Sequence, residues 1–282
     1  MSRLLHGEIV RLSDRVRRIT APNPGPMTDA GTNTYLFGDR EVAVVDPGPL
    51  EQSHIDAILD AEGDRIRWIL ATHTHPDHSP AVKPLADATG ATVYGMLAVD
   101  RMFQDQTFEP DVEMVHDDQL KTDEFTLRAL HTPGHVNNHL CFLLEEEGLL
   151  MAGDHIMNGS TVVIVPPGGD MKAYIESLQL LLEYRVKKIA PAHGELMDHP
   201  SETIEWLIQH RLGREAKVVE HLAGMPKSTL DQLVSVVYSD VDVTLHGMAK
   251  LSLLAHLIKL QQENRAASEG EGDSATWWLY DE

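Results

Sequence analysis

The stretch THTHPDHS at residues 72–79 directly follows the apolar run WILA at residues 68–71. The apolar run predicts a buried strand, and side chains two residues apart on a strand point the same way. His73 and His75 can therefore bind one metal ion together where the chain leaves the sheet. Asp77 and His78 follow in the turn, within reach of a second ion. The stretch thus predicts a metal centre at the end of a strand.

Three more metal-binding candidates follow apolar runs in the same manner. They are His135 in HTPGH, Asp154 in LLMAGDH and His193 in IAPAHG, each with a glycine beside it or within two residues. With the first stretch they supply five histidines and two aspartates. Neutral imidazoles combined with carboxylates suit a pair of divalent ions. Asp154 is the best candidate for a bridge, because a carboxylate between two cations offsets their repulsion.

Together with Asp46 in VVDPG, these motifs resemble, in order, the five motifs of the metallo-β-lactamase superfamily. The resemblance covers most of residues 30–195 and implies an α/β fold of the αββα sandwich type. It also implies two divalent metal ions, for which Zn²⁺ is expected and iron or manganese would suit the same ligands. The implied ligands of one ion are His73, His75 and His135, those of the other are Asp77, His78 and His193, and Asp154 bridges the two.

Two residues are expected to lie just behind these ligands. The resemblance implies that Asp46 supports the metal-binding loop without ligating. His155, which is adjacent to Asp154, is a candidate contact of the ligands or the substrate, with an ordinary polar position as the alternative.

Longer segments point to one subfamily within this superfamily. GTNTYLFG at 31–38, AGDHIMNGSTVV at 152–163 and HGMAKLSLLAHLIKLQQENR at 246–265 resemble the subfamily of beta-lactamase-like protein 2. That subfamily has a C-terminal winged-helix-like domain, and its members include endoribonucleases that act on single-stranded RNA. The wider superfamily also holds thioesterases, lactonases, β-lactamases and persulfide dioxygenases. The resemblance therefore indicates the chemistry more closely than the substrate.

The chain divides into two predicted domains, a catalytic domain at residues 1–200 and a small helical, winged-helix-like domain at 201–282. The first alternates predicted strands and helices, which favours α/β layers. The second is predicted as three helices, an acidic linker at 266–274 and a late strand at 276–280, with a capping box of Ser228 and Asp231 opening the middle helix. The strands predicted in the first domain are 33–37, 42–46, 68–72, 91–95, 125–131, 140–144, 149–153 and 188–191. The predicted helices are 51–61, 79–89, 170–184, 201–222, 228–238 and 244–264.

Composition restricts partners and compartment. The 282 residues carry a formal net charge of −21, which repels phosphate backbones and anionic membranes. A single cysteine, Cys141, is expected in a buried strand and fits a reducing compartment. The N-terminal segment lacks the apolar core of a signal peptide, and no apolar stretch approaches bilayer length. A cytoplasmic protein without membrane contact is expected, and a homodimer is left open.

The expected activity is hydrolysis by a hydroxide that bridges two metal ions, with Asp77 and Asp154 as catalytic groups. A small ester, thioester or lactone substrate is favoured by the acidic surface. The alternative is a single-strand-specific endoribonuclease, in which Arg211, Arg214, Lys250 and Lys259 would contact phosphates. Residues 201–265 argue against it, with seven Lys and Arg against eight Asp and Glu. A non-catalytic binding module is a third interpretation, and metal stoichiometry would distinguish it.

Overall fold

The computed structural model describes residues 4–99, 103–225 and 227–280. The helices are α1 (Gln52–Glu62), α2 (Val82–Thr89), α3 (Met171–Leu181), α4 (Pro200–Gly224), α5 (Leu230–Val237) and α6 (His246–Gln262). The strands are β1 (Val10–Arg11), β2 (Val16–Thr20), β3 (Asn33–Phe37), β4 (Val42–Val45), β5 (Ile66–Leu70), β6 (Thr92–Gly95), β7 (Val112–Glu113), β8 (Gln119–Lys121), β9 (Thr126–His131), β10 (Leu140–Leu144), β11 (Leu149–Gly153), β12 (Lys188–Pro191), β13 (Ser228–Thr229), β14 (Ala266–Glu269) and β15 (Thr276–Leu279).

These strands form three sheets. The first has seven strands in the order β1-β2-β3-β4-β5-β6-β7, and the second has five in the order β12-β11-β10-β9-β8. A small third sheet has the order β13-β15-β14. Within the first sheet β4, β5 and β6 are parallel, and within the second β11 is parallel to β12. Side chains that follow these parallel strands therefore emerge at one edge of each sheet.

Three apolar clusters arrange the first two sheets and their helices into four layers. A central cluster between the sheets includes Phe37 from β3 and Phe142 from β10. A second, on the outer face of the first sheet, joins it to helices α1 and α2 through residues such as Ile58 and Leu85. A third joins the second sheet to α3 and α4. This confirms the αββα sandwich, because each amphipathic sheet buries both faces only when helices cover the outside.

The C-terminal helices share that third cluster. Ile204 and Leu207 of α4 and Ala255 of α6 are buried in it beside Leu178 of α3. A separate core, formed by α4, α5, α6 and the third sheet, includes Leu233, Leu253 and Trp277. The helical part thus has its own core but also completes the core of the sandwich. No helix in the described ranges is both long and apolar enough to cross a membrane.

Two sequence predictions for the C-terminal helical part are wrong. The segment 266–274 was expected to be a linker, yet residues 266–269 form β14, which pairs along its length with β15. The capping box at α5 uses Thr229 and Gln232, not Ser228 and Asp231. The register explains the shift, because Ser228 is buried as the first residue of β13 and Thr229 is left at the N-cap.

Candidate metal centre

Three histidines converge at the first candidate metal position. His73 and His75 follow β5, and His135 follows β9 after the turn that begins at Thr132. His75 Nδ1 lies 2.9 Å from His73 Nε2 and 3.0 Å from His135 Nε2. Ligand nitrogens around a tetrahedral zinc ion stand about 3.3 Å apart, given Zn–N distances of about 2.0–2.1 Å. The three nitrogens are therefore spaced almost as a common ion requires.

The second candidate position lies beside the first. His193 Nε2 is 3.3 Å from Asp77 Oδ2, and His78 Nε2 is 3.5 Å from the same oxygen. His78 and His193 are buried, whereas the Asp77 side chain keeps 26 % exposure. The ligand atoms of this group, which includes Asp154, all lie within 4.8 Å of one another.

Asp154 joins the two positions through its two oxygens. Its Oδ2 lies 3.7 Å from His135 Nε2 in the first group. Its Oδ1 lies 3.2 Å from His193 Nε2 and 3.6 Å from His78 Nε2 in the second group. This carboxylate can therefore offer one oxygen to each of two ions. The structure places all seven predicted ligands at one edge of the sandwich, and Asp154 belongs to both groups.

Asp46 lies behind the second group, in contact with His78. It directly follows β4, and it adopts a left-handed backbone conformation with φ of 51°. Its carboxylate accepts hydrogen bonds from the Thr72 backbone nitrogen at 2.7 Å and the Thr72 hydroxyl at 2.8 Å. His78 Nδ1 donates to the same carboxylate at 3.0 Å, which leaves Nε2 directed at the metal position. Asp46 thus orients a ligand without joining the ligand set.

A second layer of support was not anticipated from the sequence. Thr34 donates its hydroxyl hydrogen to the Asp46 carbonyl at 2.7 Å and lies 2.8 Å from His54 Nε2. Because that hydroxyl hydrogen is already used, His54 Nε2 must carry the proton that Thr34 accepts. Burial lowers the pKa of His54 to about 4, so the imidazole stays neutral near pH 7. A threonine in a strand and an isolated histidine in a helix carry no sequence signal of this kind.

Other contacts fix the outer nitrogens of the ligand imidazoles. His135 Nδ1 donates to the Val163 carbonyl at 2.8 Å, and His193 Nδ1 lies 3.3 Å from the Gly31 carbonyl. A ring nitrogen that donates to a carbonyl forces the other nitrogen to present its lone pair. His135 therefore directs an unprotonated Nε2 at the metal position, and His193 would do so once an ion displaces the proton on its Nε2.

His139 holds the backbone at the bridging residue. Its Nε2 accepts a hydrogen bond from the Asp154 backbone nitrogen at 3.1 Å, and its Nδ1 lies 2.9 Å from the Thr132 hydroxyl. Gly153 makes this approach possible, because a Cβ there would lie 2.6 Å from His139 Nε2. Burial first, and then the neighbouring His155, keep the pKa of His139 well below its ordinary value. His139 is thus a neutral acceptor that positions Asp154.

His155 is placed differently from Asp46. It is fully buried, and its ring lies 4.8 Å from the Tyr174 ring and 5.8 Å from the His139 ring, measured between centroids. Within the described ranges neither of its ring nitrogens has a hydrogen-bond partner. The ring therefore packs behind the bridging residue and contacts no metal-binding atom through a hydrogen bond.

The donor set fits divalent ions on two independent grounds. His78 Nε2, Asp154 Oδ1 and His193 Nε2 are buried and have no hydrogen-bond partner among the described residues, which is costly unless a ligand satisfies them. Burial and neighbouring imidazoles lower the pKa of His73 well below its usual value and that of His75 to about 3. Such imidazoles are already in the neutral form that a metal ion requires.

A cavity of about 300 Å³ opens beside the three-histidine position. His75 and His135 form one end of it, and the segment 163–168 forms a wall. Pro166, Pro167 and Gly168 thus contribute to the cleft. Gln104 also lines the cavity, and Thr74 donates to its side-chain oxygen at 2.6 Å. The lining residues are His75, Phe103, Gln104, His135, Val136, Val163, Val165, Pro166, Pro167 and Gly168.

Comparison with known proteins agrees with this geometry. The family sequence model of the metallo-beta-lactamase superfamily matches residues 27–193. The family sequence model of the beta-lactamase associated winged helix domain matches residues 229–277. A Drosophila melanogaster protein named beta-lactamase-like protein 2 homolog is 31 % identical, with 91 % of each chain covered. An Aspergillus chevalieri atrochrysone carboxyl ACP thioesterase is also 31 % identical, covering 96 % of this chain and 89 % of its own.

The fold likeness extends to solved structures. A beta-lactamase domain protein from Burkholderia ambifaria superposes with a TM-score of 0.82 at 19 % identity, covering 99 % of this chain and 95 % of its own. At that identity the likeness concerns the fold, whereas the family match covers the motifs that carry the seven candidate ligands. The chain belongs to the metallo-beta-lactamase superfamily of metal-dependent hydrolases and carries the superfamily's associated C-terminal winged helix domain.

Proposed function

We propose that this protein hydrolyses a small ester, thioester or lactone whose acyl part is apolar, using two divalent ions, with Zn²⁺ as the best-fitting metal. The observation that carries the proposal is the cavity beside His75 and His135. None of its described lining residues is Lys, Arg, Asp or Glu, and most are valine, proline or phenylalanine. An apolar group is stabilised there by leaving water, whereas the phosphates of RNA that flank the scissile bond would lose hydration against these walls without finding a basic side chain.

Asp77 and Asp154 have different roles in the proposed hydrolysis. Two bound ions would supply an activated water and polarise the carbonyl under attack. Asp77 is more exposed than Asp154, with 26 % against 11 % of the side chain accessible. Asp77 can therefore accept a hydrogen bond from the attacking water and hold it in line with the carbonyl. Asp154, fixed by His139 from behind, keeps the two halves of the site in register.

The cavity places the substrate relative to these groups. With its acyl part against Val136, Val165 and Pro166, the scissile carbonyl would lie at the end of the cavity formed by His75 and His135. The leaving group would then point away from the cavity, toward the more exposed Asp77. The Aspergillus chevalieri relative is named as a thioesterase, an enzyme that hydrolyses this class of bond, which supports the proposal.

The RNA alternative loses the cations on which it depended. Arg211 is 4 % exposed and Lys259 is 6 % exposed, and Lys259 Nζ lies 2.7 Å from a Glu215 oxygen. Arg214 forms an ion pair with an Asp240 oxygen at 2.8 Å. Lys250 Nζ lies 2.6 Å from Asp231 Oδ1. Each of the four side chains is therefore buried or already paired, which supports a small substrate over a polyanion.

The test is a series of thioesters with acyl chains from two to eight carbons, offered to the zinc-loaded protein. Each methylene that enters the cavity should raise kcat/KM about fourfold, since burying one is worth about 0.8 kcal/mol. The gain should stop once the cavity is full. Single-stranded RNA, assayed in parallel, should be cleaved weakly.

Two tryptophan variants locate the effect. Val165→Trp fills the cavity and should remove the chain-length dependence while the two-carbon substrate is still hydrolysed. Val112→Trp, on the exposed edge strand β7, is the matched control and should behave as wild type. Rates independent of chain length, or salt-sensitive RNA cleavage faster than any thioester hydrolysis, would contradict the proposal. For RNA, affinity would fall with salt at a slope of about −0.7 per phosphate contact.

A further inference from the structure

A second cavity, of about 240 Å³, lies where the helical part meets the sandwich, and no step of the proposed hydrolysis uses it. One wall is the segment 161–163, and the others come from α4, the end of α5 and α6. The lining residues are Thr161, Val162, Val163, His210, Arg211, Arg214, Tyr238, Val241, Leu245, Met248, Ala249 and Ser252.

Arg211 is the unusual member of this lining. Three arginines in the described chain are less than a tenth exposed, namely Arg17, Arg18 and Arg211. Arg17 lies 3.0 Å from a Glu62 oxygen and Arg18 lies 3.1 Å from a Glu195 oxygen. Among the described residues Arg211 has no carboxylate within ion-pair distance, and its Nε has no hydrogen-bond acceptor. A buried guanidinium without a counter-charge is costly, because burial removes its hydration.

The contacts that Arg211 does make are neutral. One terminal nitrogen donates to the Val162 carbonyl at 2.5 Å, and the guanidinium carbon lies 5.3 Å from the centre of the Tyr174 ring. These contacts hold the side chain in place but leave its charge uncompensated. The Nε hydrogen still lacks an acceptor among the described residues, and a ligand in the cavity would supply one.

The neighbouring charges strengthen the positive character of the cavity. Arg214 and Lys217 share one carboxylate, that of Asp240, at 2.8 and 2.9 Å. Two cations against one anion leave a positive excess beside Arg211, although the whole chain carries −21. His256 on α6 is fully buried. The nearby Arg211 and Lys259 add to burial in lowering its pKa, which points to the same excess.

Most of the remaining lining residues are apolar, and Thr161, His210 and Ser252 are the polar ones. Val162, Tyr238 and Ala249 are buried, and Leu245 and Met248 are exposed at 56 % and 44 %. Exposed large apolar side chains beside an unpaired cation form a surface of mixed character. Such a surface matches a ligand that has a charged head and a short apolar tail.

We propose that this junction cavity binds a small amphipathic carboxylate, with the carboxylate on the Arg211 guanidinium and the apolar tail against Val162, Leu245 and Met248. A carboxylate brings one negative charge for the one unpaired buried cation, and its two oxygens match the guanidinium fork. A phosphate dianion would bring a second charge for which the buried lining offers no further free cation among the described residues. The volume equals about eight liquid-water volumes of 30 Å³, which suits an acid of about eight non-hydrogen atoms.

The experiment is calorimetric titration of the zinc-loaded full chain with hexanoate, hexan-1-ol and inorganic phosphate. Hexanoate should bind with one molecule per chain at this cavity, more tightly than either comparison ligand. Arg211→Met keeps an apolar stem and removes the charge, and it should weaken hexanoate binding about 10- to 100-fold without changing hexan-1-ol binding. Ser252→Leu fills the cavity from α6 and should also abolish hexanoate binding. The Ser252→Leu result alone decides the matter if the Arg211 variant does not fold.

Val165→Trp is the control, because it fills the first cavity and leaves the second intact. Hexanoate binding should survive in this variant, which separates the junction site from binding at the metal centre. Three results would overturn the proposal: binding lost in Val165→Trp but kept in Ser252→Leu, hexan-1-ol or phosphate binding as tightly as hexanoate, or no saturable hexanoate binding. None of these depends on thioester turnover, so the proposed function stands or falls separately.

Discussion

Arg211 in α4 donates a hydrogen bond to the carbonyl of Val162, with a nitrogen to oxygen distance of 2.5 Å. The next carbonyl along the chain, that of Val163, accepts from His135 Nδ1 at 2.8 Å. A helix of the C-terminal part thus supports the short segment that orients a candidate metal ligand. Removing residues 201–282 would remove this support and expose the shared core at Ile204 and Leu207. Substrate classes are therefore better separated by point variants than by truncation.

The first prediction follows from that relationship. Arg211→Met should weaken binding of the ion at His73, His75 and His135 about tenfold, the low end of what indirect support of a ligand is worth. Competition with a chelator at pH 7.5 measures this. Arg40→Met, at a side chain that is 72 % exposed, is the control and should leave both affinities unchanged. Equal affinities in wild type and Arg211→Met would show that Val163 holds His135 without help from α4.

A second prediction separates binding from catalysis. His73→Ala should lower the metal content, because it removes a buried ligand nitrogen. Asp77→Asn keeps the shape and one weak ligand oxygen, and it should retain at least one ion while kcat falls about 100-fold or more. Elemental analysis and steady-state kinetics on the same preparations measure both effects. Near-wild-type turnover in Asp77→Asn would remove it from the proposed role of orienting the attacking water.

The third prediction concerns pH and the order in which the ions leave. Burial lowers the pKa of His193, but the nearby carboxylates of Asp154 and Asp77 outweigh it and raise the pKa to about 9. Burial likewise acts against His78, and the charges of Asp77 and Asp154 raise its pKa well above the ordinary value. Without metal both imidazoles therefore hold protons at pH 7, and an ion must displace them.

At the three-histidine position the pKa shifts are downward instead of upward. Burial and the neighbouring His135 lower the pKa of His75 to about 3, so no proton is displaced there at neutral pH. Affinity at the His78 and His193 position should fall up to tenfold per proton for each pH unit below 9, whereas the other position should hold its ion to much lower pH. Single-position variants His75→Ala and His193→Ala, dialysed between pH 8 and 5, assign each loss. Simultaneous release, or earlier release at the three-histidine position, would contradict this order.

The fourth prediction concerns His155. Burial lowers its pKa to about 3, so between pH 6.5 and 3 the unfolded chain binds a proton that the folded chain does not. This imidazole therefore costs stability as the pH falls through that window and costs nothing of this kind above it. His155→Leu should lessen the acid dependence of the free energy of unfolding by up to about 1.4 kcal/mol per pH unit.

At pH 7 the same variant should be as stable as wild type or more stable, by about 1–3 kcal/mol, because two unpartnered buried nitrogens are removed. Urea unfolding at several pH values measures both effects. A stable His155→Leu protein with its metal content unchanged and its kcat sharply reduced would instead assign His155 a part in the reaction.

The sequence alone determined the features that depend on local spacing. Strands at Asn33–Phe37, Leu140–Leu144, Leu149–Gly153 and Lys188–Pro191 have the predicted limits, because an apolar run bounded by turn residues identifies a buried strand. The candidate ligands were found for the same reason, since each directly follows such a run or lies in the turn after it. Their convergence at one edge then follows from the direction of parallel strands.

Only the tertiary structure decided features that depend on partners far along the chain. β2, with the sequence VRRIT, was not predicted, because Arg17 and Arg18 break its apolar pattern. Both are buried only because Glu62 and Glu195 arrive from distant segments to pair with them. Residues 266–269, at the start of the acidic segment 266–274, form a strand for a related reason, since β15 supplies their backbone hydrogen bonds. A local pattern records the polarity of a side chain but not the group that will satisfy it once buried, so Thr34 behind Asp46 and the unpaired Arg211 could be recognised only in three dimensions.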